Sequence, residues 1–224
     1  MHAAGEHLAG TSLSVLGMLA DKSLLRRMHT GRYELHDLVQ QFVLEYLQHS
    51  EPEYEEVGER HCWYYLTWLV QEVESAVNVS SMRATLDSKA ANIRAAWSWA
   101  GTHRYMDLIA QTADSLKMFY KMKGYAQDAV QAFGAALDAF DQPDSESASH
   151  AMLLGKLLTQ QGSFYQNMGR YALARRLFQR TLASSRALGS KREIATVLGK
   201  LGFLAIELGE YAEARQLMEA ALHK

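Results

Sequence analysis

Helix breakers are scarce in this chain. Proline occurs twice, at Pro52 and Pro143. So few residues that remove a backbone donor and block the preceding turn favour helices throughout. Both prolines stand in loop-like settings, His49–Glu53 and Asp141–Ser145, and mark expected boundaries. Cysteine occurs once, at Cys62, which excludes an internal disulfide and a cysteine-rich zinc site and suits a reducing compartment. No apolar run approaches the roughly 20 residues needed to cross a bilayer. The first residues, Met1–His7, show no basic segment followed by an apolar one, so no secretory signal is read. A cytoplasmic setting is expected, and the Asn78-Val79-Ser80 sequon then has no role. Charge of one sign is also lacking: a net charge of −2 sets up no strong field for nucleic acid or a membrane surface.

Catalytic patterns are missing as well. The nine histidines include no H-E-x-x-H pair. His61 and Cys62 are neighbours, and on a helix neighbours point about 100° apart, which makes a poor dyad. The aromatic residues beside them, Trp63, Tyr64, Tyr65 and Trp68, read as packing, as do Trp97 and Trp99. Gly155-Lys156 and Gly199-Lys200 lack the upstream glycine of a phosphate loop. The expectation is therefore no catalytic residue, no metal ligand, no cofactor and no enzyme in this chain.

What is present is an internal repeat. Gly124, Gly169 and Gly209 are followed at equal distances by Ala129, Ala174 and Ala214, by Phe133, Phe178 and Met218, and by Leu137, Leu182 and Leu222. The last two copies also share Gly162 and Gly202, Tyr171 and Tyr211, and Arg175 and Arg215. Apolar residues from Met152 to Met168 fall at helical spacing. Gly169 ends that helix, a second runs from about Tyr171 to Leu188, and a further pair starts near Arg192. A glycine inside a helix costs about 0.5–1 kcal/mol relative to alanine. Its recurrence at 162 and 202 predicts close helix contact there.

These residues resemble the tetratricopeptide repeat, strongly over 152–224 and in degenerate form over 105–140. The spacing here is 40 residues, against about 34 in the usual repeat. The resemblance implies a stack of helix pairs with a concave face lined by the first helix of each. On this chain that face takes Lys156, Thr159, Ser163, Gln166 and Asn167 from one copy. From the next it takes Thr196, Gly199, Phe203, Ile206 and Glu207. An alternative for Phe203 and Ile206 is packing against a further repeat. The implied partner is a protein or peptide, with a small effector as a second class.

The first 50 residues carry no repeat. Thr11–Ser14 can cap a helix through Val15, Leu16, Met18 and Leu19. Leu24–Met28 and Arg32–His36 flank His29-Thr30-Gly31 and read as two strands joined by a glycine turn. Asp37 can cap a helix whose apolar face is Leu38, Phe42, Val43, Tyr46 and Leu47. Helix, hairpin and helix in that order make a winged-helix layout. Leu19–Leu25 together with Gly31–Phe42 resembles the winged-helix segment of STAND ATPases, nucleotide-switched signalling proteins. The Asn92–Ala100 phrase resembles their helical spacer. The resemblance implies that His36, at the family's Met-His-Asp-like triplet, contacts the phosphates of bound ADP. ADP or ATP is implied only for a full-length parent with an ATPase core, of which this chain would be a part. The helix before the hairpin carries no Lys or Arg, so nucleic acid is not an expected partner.

The expected fold is all-α: a tetratricopeptide-like α-α superhelix with a partial winged helix at its N-terminus. The expected layout is a winged-helix segment over 1–50, a helical spacer over 51–104 and repeats over 105–224. The implied function is the non-catalytic interaction and sensor region of a STAND-type signalling or transcription-regulatory protein. The alternative is a free-standing scaffold that binds a peptide or protein.

Overall fold

A computed structural model of the chain describes residues 13–28, 33–48, 51–75, 79–141 and 147–223. These residues form ten helices and one two-stranded hairpin. The chain divides into two compact units, Met1–Trp68 and Leu69–Lys224.

The first unit opens with α1 (Leu13–Asp21), β1 (Leu25–Arg27), β2 (Tyr33–Leu35) and α2 (Asp37–Gln48). β1 and β2 are antiparallel, with Leu25 opposite Leu35 and Arg27 opposite Tyr33. Ser23, at φ 58, turns α1 into the hairpin. The helix–hairpin–helix order expected from the sequence is therefore present. The Thr11-Ser12 cap, the Gly31 turn and the Leu47 side chain lie outside the described residues. Asp37 begins α2, where a carboxylate complements the helix dipole. On the apolar face expected for α2, Leu38, Phe42 and Tyr46 are exposed and Val43 is half-buried. Helical periodicity says which residues share a face, not that a neighbour covers it. In α3 (Glu51–Glu74) Cys62, Tyr65 and Leu66 are buried and Trp63 is part-exposed. The boundary between the two units falls within α3.

The second unit contains α4 (Val79–Thr102), α5 (Met106–Lys123), α6 (Ala126–Phe140), α7 (Ala148–Asn167), α8 (Tyr171–Ala187), α9 (Lys191–Glu207) and α10 (Tyr211–Leu222). Each helix from α5 to α10 packs on the one before it, α4 also packs on α6, and α5 also packs on α7. On α4, Ile93, Ala96, Trp97 and Ala100 are buried, the i, i+3, i+4, i+7 stripe of an amphipathic helix. The Trp97 ring meets Phe133 edge-on at 5.6 Å, and its Nε1 donates to the Ala132 carbonyl at 3.0 Å.

The pairs are made by one repeated turn. Gly169 stands at φ 72, and the Arg170 N–H donates to the Tyr165 carbonyl at 2.8 Å, so the chain reverses directly into α8. The same turn recurs at Gly124, Gly189 and Gly209, with Tyr125 donating to Tyr120, Ser190 to Ser185 and Glu210 to Ala205. Ala174 and Phe178 of α8 are fully buried and pack with Ile194, Val197, Leu198 and Leu201 of α9. The result is a tetratricopeptide-like α-α superhelix. No described helix is long and apolar enough to cross a membrane.

Candidate functional site

Side by side, α5, α7 and α9 are the first helices of three successive pairs, and they line a groove of about 770 Å³. α5 supplies Asp107, Asp114 and Lys117; α7 supplies Lys156, Thr159 and Gln160; α9 supplies Arg192, Glu193, Thr196 and Lys200. Helical spacing explains the selection, because Arg192, Thr196 and Lys200 lie four residues apart and share one face.

One carboxylate is shared at the centre. The Lys156 Nζ lies 2.9 Å from Asp114 Oδ2 and also donates to the Ala110 carbonyl at 2.7 Å. The Gln160 amide donates to the other oxygen of Asp114. These contacts tie α7 to α5. Across the other side, the Lys200 Nζ of α9 donates to Ser163 Oγ of α7 at 2.9 Å and sits 5.7 Å from the centre of the Phe178 ring. Lys117 has no hydrogen-bond or ion-pair partner among the described residues.

Both outer lysines are held below their ordinary pKa. Burial lowers Lys117, and the like charge of Lys121 adds to the effect against the pull of Asp114. Burial, joined by the like charge of Lys117, lowers Lys200 to about 8, with Asp114 acting the other way. Three ammonium groups on three helices thus draw on an Asp114 already engaged by Lys156 and Gln160, and a second anion between Lys117 and Lys200 would relieve that strain.

Of the residues expected on the concave face, Lys156, Thr159 and Thr196 line this groove. Ser163 holds Lys200 at its edge, and Gln166 Nε2 donates to Glu207 Oε2 at 2.8 Å. Asn167 is exposed, and Gly199 has no side chain to offer. Phe203 and Ile206 are exposed but outside the groove lining. Sequence reasoning missed Asp114, Lys117, Gln160, Arg192, Glu193 and Lys200. The first two belong to a helix that ends at Gly124 but has no counterpart of Gly162 and Gly202, because Lys117 stands at that place. In the sequence Lys200 stands out only as the end of an incomplete phosphate loop.

His36 lines a separate cavity of about 800 Å³ within the first unit, together with Asp21, Arg26, Glu34 and Asp37. Among the described lining residues three carboxylates stand with one guanidinium and one imidazole, a balance unfavourable to the phosphates of ADP. Among the described residues no group of His, Cys, Asp and Glu could hold a metal ion.

Comparison with known proteins agrees with the geometry of the repeats. Residues 153–222 match the family model for the tetratricopeptide repeat, which spans α7 to α10. The chain is also similar to the crystal structure of BtubC (BKLC) from P. vanneervenii, with a TM-score of 0.51 over 80% of this chain and 72% of that one. At 18% identity that likeness is one of fold. No curated protein matches the chain.

Proposed function

We propose that the chain is a non-catalytic interaction scaffold whose groove holds an extended, acidic segment of a protein partner. Repeat stacks of this kind serve as protein–protein interaction surfaces. The observation that carries the finer reading is the placement of Lys117, Lys156 and Lys200 on three successive first helices around one shared carboxylate. Lys117, Lys156, Arg192 and Lys200 outnumber Asp107, Asp114 and Glu193 in the groove by one charge, and an acidic chain laid across the helices supplies the counter-charge. Beside it, the Thr159 hydroxyl is available to its backbone, and the Thr196 hydroxyl, which donates to the Arg192 carbonyl at 2.9 Å, can still accept from it.

Selection from a displayed random-peptide library tests this. The selected peptides should be rich in Asp and Glu, and K117E/K200E should lose them. Gln179→Glu, on the exposed side of α8, should keep them. Peptides without acidic bias, or undiminished binding by K117E/K200E, would overturn the reading.

A wider reading makes this scaffold the sensor arm of a STAND-type protein, with the layout 1–50, 51–104 and 105–224. Its support is the helix–hairpin–helix order ahead of the repeats and the resemblance of residues 19–42. A free-standing scaffold is equally compatible with the fold. The two differ in a polypeptide where an ATPase core precedes these residues: there His36→Ala should speed nucleotide loss. Unchanged retention would remove His36 from any sensing role.

A further inference from the structure

Small residues meet small residues between α4 and α6. α6 brings Ala132, Ala135, Ala136 and Ala139, and α4 brings Ser98 and Gly101, each set at helical spacing. The two backbones come close at one point, where a Cβ built on Gly101 would stand 3.9 Å from the Ala136 Cα. That contact needs small residues at 101 and 136 only. Beside it the short side chains leave a cavity of about 440 Å³, which shares no residue with the groove of α5, α7 and α9. Its size falls within the range of small-molecule sites, about 300–1,000 Å³.

Tyr120 of α5 lines the same cavity. It is 2% exposed, and its hydroxyl has no hydrogen-bond partner among the described residues. Its ring packs edge-on with Phe119 and Phe164, so the ring belongs to the core. The charges that act on its hydroxyl are those of Arg94 and Asp128, both in the cavity wall, and they mark the end at which the hydroxyl points in. Burial raises the Tyr120 pKa to about 12, against the pull of Arg94 and with Asp128 adding to the rise. The group therefore stays an O–H donor at ordinary pH, and a buried donor without an acceptor is costly. Arg94 and Asp128 are 3.9 Å apart. That exceeds the roughly 2.7–2.9 Å of a charge-assisted hydrogen bond, so Asp128 remains open to a further donor.

We propose that the cleft between α4 and α6 binds a small uncharged molecule with an apolar body and a primary carboxamide head. Its carbonyl oxygen accepts from Tyr120, its amide N–H donates to Asp128, and its body lies along the alanines. Charge decides the head. A carboxylate would accept from Tyr120 but face Asp128. An ammonium would face Arg94 and leave Tyr120 without an acceptor. This site stands apart from the groove reading and does not need it.

The probe is benzamide, titrated into the 224-residue chain with its alanine methyls labelled with carbon-13. The methyl signals of Ala132, Ala135, Ala136 and Ala139 should shift together, with a dissociation constant of about 1 mM. Toluene, which lacks the head, and benzoate, which charges it, should each bind about fivefold more weakly or worse. Tyr120→Phe should weaken benzamide by about fivefold without lowering the melting temperature, because the lost hydroxyl bonds nothing within the chain. Ala135→Leu, at an exposed position, fills the cleft and should abolish the shifts with melting unchanged. Alanine methyls that stay still in the wild type overturn the proposal. So does toluene or benzoate binding as tightly as benzamide, or undiminished benzamide binding by Tyr120→Phe. A lower melting temperature in Tyr120→Phe overturns it too, since the hydroxyl would then already be partnered in the folded chain.

Discussion

Gly162 lies against the Phe178 ring, and a Cβ built on that glycine would stand 2.7 Å from Phe178 Cε1. The same relationship recurs one repeat on, where a Cβ on Gly202 would stand 2.9 Å from Met218 Cγ. The two sites should nevertheless respond differently. Alanine in a helix gains about 1 kcal/mol over glycine, and overpacking a tight core costs about 1–3 kcal/mol. Phe178 is fully buried and its ring has nowhere to go. Gly162→Ala should therefore destabilise, by about 1 kcal/mol or more. Met218 is only half-buried and flexible, so it can swing aside, and Gly202→Ala should come out near neutral. Urea denaturation of the two variants decides it; equal losses would mean that Met218 is as fixed as Phe178.

Trp97 is held both by its ring and by its indole N–H. Trp97→Phe keeps much of the apolar contact with Phe133 and removes the indole's hydrogen bond to the Ala132 carbonyl, which stays paired within α6. That should cost about 0.5–1.5 kcal/mol, read as a lower midpoint in the same denaturation. No change in midpoint would mean that the helical bond alone satisfies the carbonyl.

The sequence made the repeat pairs visible because their marks are covalent necessities. A left-handed turn and a close helix crossing both call for glycine, and glycine stands at 124, 162, 169, 202 and 209. The turn from α4 into α5 is built the same way, with Tyr105 N–H donating to the Ala100 carbonyl at 2.9 Å, but Arg104 takes the left-handed position at φ 55. With no glycine there, no pattern announces it. The groove was half visible for a related reason. Repeat alignment places Lys156, Thr159 and Thr196 on one face; carried back from Gly124 it sets Asp114 at the place of Thr159 and Lys117 at that of Gly162, but α5 shares too few residues with the later copies for that face to stand out. The exposure of Phe42 on α2 was not readable either, since it depends on what covers the face.

Lys200 gives the protein a pH dependence whose sign can be stated. Its pKa of about 8 lies below the ordinary 10.5, so the unfolded chain binds more protons between those values and stability rises with pH across that window. Below about pH 8 the cost of burying the charge is present in full. Lys200→Met should therefore be more stable than the wild type at neutral pH, with the gap closing as pH rises past about 8. Thermal melts of both proteins at several pH values would show it. A gap that stays constant would assign the effect to packing instead of charge.

Binding should follow the opposite course. An acidic peptide needs Lys200 charged, so its affinity should fall as pH rises through about 8, and Lys200→Arg should flatten that fall because a guanidinium keeps its proton. Asp114 is the peptide's competitor for the same ammonium groups, being engaged by both Lys156 and Gln160. Asp114→Asn keeps the shape and an acceptor oxygen but removes the charge. The groove is then left with Lys117, Lys156 and Lys200 and a weaker internal answer to them. Acidic-peptide affinity should rise, by roughly threefold to tenfold at low salt, and the gain should shrink as salt is added. Isothermal titration of wild type and Asp114→Asn at two salt concentrations measures both. A loss of affinity in Asp114→Asn would mean that the carboxylate's work is to hold Lys156 in place for the ligand, and that its charge matters less to the peptide than the position it fixes.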